Sequence, residues 1–256
     1  MVLTPFDRNC RVMLDASPNR QSRHSLRSAL YHLERAEALV KIDLAMASFR
    51  ALTAEEEAAT GLIHCLKERG YKNADLLRPK DHVQKNAVAP FLDVLGMSFA
   101  KTIGAQFGDL KLHLQGEGDA RRLMIALSIF VNGEEQWASP IPPLNFTATV
   151  NGKALSYRPE IDMLVETKGR RNIIEYLRAQ ANRRNLLLYA GPDGYPSEVS
   201  VPEGFFEGRK ARVLSLVRAY LLIQPYDEKM TFVQDALDAF LSMVGALKES
   251  ELHEFL

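Results

Sequence analysis

Apolar residues recur at helical spacing through the N-terminal part of the chain. Between positions 26 and 44 they lie three or four residues apart, which predicts one long helix beginning near Ser22 or Ser25. A similar stripe over positions 83–95 predicts a further helix, and Pro79 is its expected first residue because proline suits that position. Helices with one apolar face pack those faces together, so this region is predicted to be a helical bundle.

The stretch from Thr53 to Gly70 predicts the best-defined helix of the chain. Thr53 and Glu56 form the pair of a capping box, and Gly70 suits the position just after the last turn. At about 100° per residue, Glu55 falls in the middle of the apolar face, and Glu37 falls on that of the preceding helix. A buried carboxylate needs a cationic or hydrogen-bonding partner. Glu55 therefore belongs either to a polar cluster between helices or to an exposed first turn.

The hydrophobic period changes between residues 109 and 158. Apolar and polar residues alternate there, as in a strand with one buried face. Asn132-Gly133 and Asn151-Gly152 each favour a two-residue hairpin turn. We therefore predict an antiparallel sheet over this stretch.

Helical spacing returns after Lys168 and ends in two helices separated by Pro225. The order of helices, sheet and helices predicts a helix-dominated α+β fold, a helical bundle with an antiparallel β-rich insertion. We divide the chain into a helical region at 1–106, a β-rich segment at 107–165, and a mainly helical region at 166–256 that packs on the first.

Composition limits the classes of function. The 256-residue chain has 32 lysines and arginines against 32 aspartates and glutamates, which argues against a whole-surface nucleic-acid or membrane mode but allows a local basic patch. Cys10 and Cys65 form no C-x-x-C pair, so we expect no zinc site or disulfide framework and a reducing, cytoplasmic location. The sequence shows no signal peptide and no apolar run of the ~18 residues that span a bilayer, so no membrane contact is expected. Motifs for nucleotides and catalytic metals are missing from the sequence, and we expect neither a metal nor a cofactor.

Arg27 and His32 form an R-x4-H hexapeptide. Arginine can hold a phosphate while an imidazole moves protons, which suits RNA cleavage through the 2′-hydroxyl. Five residues of continuous helix turn by about 500°, which leaves the two side chains roughly 140° apart. They converge only if Arg27 lies at a helix start or if two copies of the chain meet; otherwise they are ordinary surface residues.

A second candidate constellation is a polar cluster between helices. Carboxylates on one helix could meet an imidazole and an ammonium group on another, either as a catalytic cluster with perturbed pKa values or as structural pairing. Its members are Glu55, Glu56, Asp81, His82 and Lys85.

A third candidate is a basic run on the helix predicted after Lys168. Clustered arginines there could contact a phosphate backbone, or they could form a solvated helix face. The run comprises Arg170, Arg171, Arg178, Arg183 and Arg184.

Taken together, the helical register, the Glu-Glu pair, the D-H-x-x-K motif and the R-x4-H hexapeptide resemble the HEPN superfamily, most closely its abortive-infection V type. The resemblance covers about residues 22–95. It implies a helical bundle that is often dimeric and, in many members, a metal-independent endoribonuclease of a toxin–antitoxin or phage-defence system. It implies catalysis by Arg27 and His32, with support from Glu55, Glu56, His82 and Lys85.

The leading hypothesis from the sequence is a defence- or toxin-type RNA-binding protein that acts as a metal-independent endoribonuclease. One alternative is a non-catalytic module whose sheet binds a partner protein. Another is a ligand sensor with a pocket between bundle and sheet. A homodimer is expected from the resemblance alone.

Overall fold

The structure is a computed structural model that describes residues 2–18, 20–107, 109–145, 149–150, 153–154, 156–166, 173–177, 179, 187 and 200–254. Helices predominate in this part of the chain, and the strands form two small antiparallel sheets. The predicted helix-dominated α+β class is therefore confirmed. None of the helices in the described ranges combines the length and apolarity needed to cross a bilayer.

Three helices open the fold: α1 (Pro5–Ala16), α2 (Arg20–Leu39) and α3 (Leu44–Glu68). The first was not predicted. The Thr4 hydroxyl accepts a hydrogen bond from the Asp7 N–H at 3.1 Å, which caps α1. Glu37, predicted to be buried, is exposed on α2.

The predicted start of the third helix at Thr53 is wrong. Asp43 caps α3, accepting a hydrogen bond from the Met46 N–H at 2.9 Å. Thr53 lies inside the helix, where its hydroxyl donates to the Phe49 carbonyl at 2.9 Å. The Thr-Glu spacing of a capping box is therefore compatible with a helix interior, because threonine can bond to the carbonyl one turn earlier.

The predicted end of α3 is confirmed. Gly70 adopts a left-handed backbone conformation with a φ of 66°. Its N–H donates to the Lys67 carbonyl at 3.0 Å, and the Tyr71 N–H donates to the Leu66 carbonyl at 3.2 Å. These two bonds form a Schellman motif, which satisfies carbonyls that the helix leaves open at its end.

Helix α4 (His82–Phe107) begins later and ends later than predicted. His82, not Pro79, is its first residue, and Asp81 caps it, since the Asp81 carboxylate accepts from the Gln84 N–H at 3.1 Å. The helix continues through the buried Pro90 and past Gly96, where the sequence predicted its end.

The β-rich segment contains two sheets where one was predicted. Strands β1 (Leu110–Gln115), β2 (Arg122–Val131) and β3 (Glu134–Ala138) form an antiparallel sheet in that order, and β4 (Thr149–Val150) pairs with β5 (Lys153–Ala154) as a separate hairpin. Asn132 and Gly133 both have positive φ, 55° and 84°, as a two-residue hairpin turn requires. The pairing of Val150 with Lys153 confirms the second hairpin, whose turn lies outside the described residues.

Three more helices follow: α5 (Arg158–Leu164), α6 (Phe205–Ile223) and α7 (Thr231–Glu254). Residues 173–177 are also helical. Helix α3 packs against α2, α4 and α6, and β2 packs on α4 and α6, so one apolar core joins the first and last helices through the sheet.

The tightest packing lies between α2 and α3 at Gly61. A Cβ atom on Gly61 would stand 2.6 Å from Cγ of the fully buried Leu26 and 3.1 Å from the backbone oxygen of Ser22. We expect Gly61→Ala to lower the free energy of unfolding by about 1–3 kcal/mol, measured by urea denaturation.

Gly208→Ala is the matched control, because Gly208 lies in α6 and a methyl group added to it would meet nothing within 4 Å. This change should raise the free energy of unfolding by about 0.5–1 kcal/mol through helix propensity. A stabilising Gly61→Ala would show that the α2–α3 contact is looser than described.

Candidate functional site

Glu55 is buried on α3, with 1% of its side chain exposed. Arg209 of α6, itself 8% exposed, donates from Nη1 to Glu55 Oε2 at 2.7 Å. The Tyr176 hydroxyl donates to Glu55 Oε1 and accepts from Arg209. Of the two alternatives for Glu55, the structure shows the buried polar cluster, and its partners come from α6 and from residues 173–177, not from the predicted Asp81, His82 and Lys85.

Arg212 extends this buried cluster toward the surface. Its Nη1 lies 4.0 Å from Glu55 Oε2, and its Nε donates to Asp93 Oδ2 at 3.0 Å. The guanidinium carbon of Arg212 lies 4.4 Å from the centroid of the Tyr176 ring, within the range of a cation–π contact. Burial, followed by the negative charge of Glu55, raises the pKa of the Tyr176 phenol, so this group stays protonated and acts as a donor.

Glu56 forms a second and more exposed cluster with α4. Its Oε2 lies 3.1 Å from both His82 Nδ1 and Lys85 Nζ, and its Oε1 accepts from Asn86 Nδ2 at 3.3 Å. Because a carboxylate only accepts, Nδ1 of His82 carries the proton in this contact. Asp81 stands next to the cluster as the cap of α4.

This second cluster joins a carboxylate, an imidazole and an ammonium group at one point. His82 is 54% exposed, whereas the side chains of Glu56 and Lys85 are 13% and 10% exposed. An exposed imidazole oriented by a carboxylate can exchange protons with a ligand. The same contacts also tie α3 to α4, so the geometry fits both the catalytic and the structural interpretation of the predicted cluster.

The structure does not bring Arg27 and His32 together within one chain. Arg27 lies within α2, not at its start, and its Nε lies 3.2 Å from Asp15 Oδ1 of α1. His32 faces α3, where its Nδ1 is 3.3 Å from Arg50 Nη1. Since arginine only donates, His32 Nδ1 is the acceptor, and burial, together with the charge of Arg50, lowers the pKa of His32. His32 is therefore a neutral imidazole whose basic nitrogen is engaged.

Arg27 instead lines an open groove between α1 and α2. The groove has a volume of about 520 Å³ and a mainly polar lining. His24, one turn before Arg27, shares the groove with it, as does Tyr31, which is 48% exposed. The groove also contains two ion pairs, Arg11 with Glu34 at 2.6 Å and Arg27 with Asp15.

Sequence reasoning missed Arg209, Arg212, Asn86 and the pairing of Arg27 with His24. Arg209 lies 154 positions from Glu55, so no local pattern connects the two. The spacing of His24 and Arg27 was visible, because residues three apart share a helix face.

The basic run of Arg170, Arg171, Arg178, Arg183 and Arg184 lies outside the described residues. Cys10 and Cys65 are buried, and burial raises their pKa values to about 11 and about 12, so both are unreactive core thiols. Within the described ranges, no group of three or more His, Cys, Asp and Glu side chains is placed to hold a metal ion.

Comparison with protein-family models, curated proteins and solved structures gave no match to this chain.

The buried Glu55 cluster predicts a specific loss of stability. Arg209→Met leaves the Glu55 carboxylate buried without its main cation, so we expect the free energy of unfolding to fall by roughly 3–5 kcal/mol. Urea denaturation at neutral pH measures this loss. The double variant Glu55→Met with Arg209→Met should recover most of it, because no charge then remains buried.

Arg212→Met is the control on the same helix. Its side chain is 26% exposed and lies farther from Glu55, so the expected loss is about 1 kcal/mol. Equal losses for the two arginines would show that Arg209 is not the group that neutralises Glu55.

Proposed function

We propose that this protein binds single-stranded RNA in the groove between α1 and α2. The observation that carries the proposal is the placement of Arg27, His24 and Tyr31 in one open polar groove. An exposed guanidinium suits a phosphate, and an exposed phenol ring suits a stacked base. The role in defence or as a toxin rests on the resemblance to HEPN proteins, and the cytoplasmic location rests on the pattern of the two cysteines.

Local charge supports binding of a polyanion to this surface. The chain as a whole has no net charge, and ion pairs balance the groove itself, yet α2 exposes three arginines, Arg20, Arg27 and Arg35, against the exposed Glu37 and the half-buried Glu34. The Arg35 guanidinium carbon lies 5.1 Å from the centroid of the Tyr31 ring, which places a cation beside the groove. Cations clustered on one helix create a local attractive field even where total charge is balanced.

The sharper form of the proposal is a metal-independent endoribonuclease. An imidazole takes the proton of a 2′-hydroxyl, and the 2′-oxygen attacks the adjoining phosphate to form a 2′,3′-cyclic phosphate. The bond from phosphorus to the 5′-oxygen breaks, and the imidazolium returns the proton to that leaving oxygen. A guanidinium stabilises the negative charge on the phosphoryl oxygens. Within one chain the imidazole that shares the groove with Arg27 is that of His24, and we assign this step to it. Participation of His32 requires a homodimer that brings Arg27 of one copy to His32 of the other, and a release of His32 from Arg50.

A protein-binding module is the alternative, and the β2–β3 hairpin favours it. Phe130 is 71% exposed and Trp137 is 41% exposed, with Lys111 Nζ 3.3 Å from the centroid of the Trp137 ring. Exposed aromatic side chains on a hairpin at a sheet edge are typical of surfaces that bind another protein. In this alternative the groove between α1 and α2 has no RNA ligand.

The first test measures RNA affinity. Arg27→Ala should weaken binding of a fluorescent single-stranded RNA by roughly tenfold, because a charge-assisted contact to phosphate is lost. It should also make the negative slope of log affinity against log salt concentration less steep by about 0.7. Fluorescence anisotropy across a salt series provides both values.

Arg78→Ala is the matched control, since Arg78 is an exposed arginine in the loop before α4. The RNA affinity of this variant, and the salt dependence of that affinity, should equal those of the unaltered protein. Equal losses of RNA affinity in the two variants would exclude the groove as the RNA-binding site. If the unaltered protein binds no RNA at all, the protein-binding alternative is favoured.

The second test measures cleavage in the presence of EDTA. His24→Ala should slow cleavage of a labelled RNA by at least about 100-fold, whereas His32→Ala should leave the rate unchanged. Gel electrophoresis of the products, with RNA affinity measured in parallel, separates a loss of chemistry from a loss of binding. The reverse result, loss with His32→Ala alone, would favour the site assembled across a dimer.

A further inference from the structure

A half-enclosed apolar cavity of about 110 Å³ lies at the edge of the core, between α3, α4, α6 and α7. Among the described residues, every side chain that lines it is apolar, and most of these side chains are buried. Phe91 and Phe240 form an edge-to-face pair in its wall, with ring centroids 5.3 Å apart. This cavity is separate from the groove between α1 and α2, and nothing about it depends on RNA.

The cavity contrasts with the packing beside it. Gly61 of α3 packs so closely on Leu26 that a single added methyl group would clash, yet its neighbours Leu62 and Ile63 border empty space. Protein cores contain few voids larger than a water molecule, and unfilled volume lowers stability. The described side chains therefore leave apolar space unfilled directly beside a tightly packed contact.

The lining determines what can occupy the space. A water held firmly there needs two to four polar partners, and the lining residues that the structure describes supply no polar side chain. Apolar cavities of similar size stay dry and take up small hydrocarbons. The half-buried Leu144 and Phe232 form one side of the cavity and place it within reach of the surface.

We propose that this cavity binds a hydrocarbon group about the size of a benzene ring, the apolar part of a small ligand. Van der Waals contact and removal of apolar surface from water supply the affinity, so a charged or strongly polar group is rejected there. The bound group bridges α3, α4, α6 and α7 and stabilises their packing.

Benzene is the probe for this site. At a concentration well above its dissociation constant, benzene should raise the melting temperature of the full chain by roughly 3 °C, because it binds the folded state alone. Ala236→Leu places a larger side chain in the cavity and should abolish the shift. Ala16→Leu makes the same change at an exposed position of α1 and should leave the shift intact.

A second readout does not require any variant to fold. In methyl NMR spectra, benzene should move the resonances of Ile63 and Val88, which line the cavity, and leave that of the exposed Val12 in place. Phenol, of the same shape with a hydroxyl group, should bind more weakly. The proposal is overturned if saturating benzene leaves the melting temperature and the Ile63 and Val88 methyl resonances unchanged, or if Ala236→Leu, once folded, retains the full shift.

Discussion

A carboxylate buried in an apolar helical core must be neutralised, and in this protein that requirement falls on Glu55. Arg209 supplies the charge and Tyr176 supplies a further hydrogen bond. Because the three groups come from α3, α6 and the helical residues 173–177, the interaction joins the N-terminal hairpin of helices to the C-terminal region. An unpaired charge at this depth would cost more free energy than most single contacts in the core contribute.

This constraint also separates the two glutamates that stand side by side in the sequence. Consecutive residues on a helix point about 100° apart, so Glu55 faces α6 while Glu56 faces α4. Glu55 uses both carboxylate oxygens to bind Arg209 and Tyr176, and so connects helices to one another. Glu56 contacts an exposed imidazole and an ammonium group, so this cluster can still exchange protons at the surface.

The same geometry governs the proposed RNA site. Arg27 and His32 project from α2 toward different neighbours, Asp15 of α1 and Arg50 of α3, because five residues of helix rotate a side chain far from its starting direction. His24 projects with Arg27 into the groove instead. The bundle thus offers a polar groove on its surface and a half-enclosed apolar cavity at the edge of its core, and these two sites suit ligands of opposite character.

Local sequence pattern was sufficient to predict much of the fold. Periodicity separated the helical parts from the β-rich part, Asn132-Gly133 marked a hairpin, Gly70 marked a helix end, and the helical angle placed Glu55 on a buried face. Each of these features depends on residues within a few positions of one another. The start of α3 is also set locally, by the Asp43 cap three residues before Met46, although we predicted it at Thr53. The tertiary structure alone decided which cation meets Glu55, and that α1 packs beside Arg27 and His24 to form a groove. Those outcomes depend on contacts between segments far apart along the chain, and a contact of that kind leaves no periodic signal in the sequence.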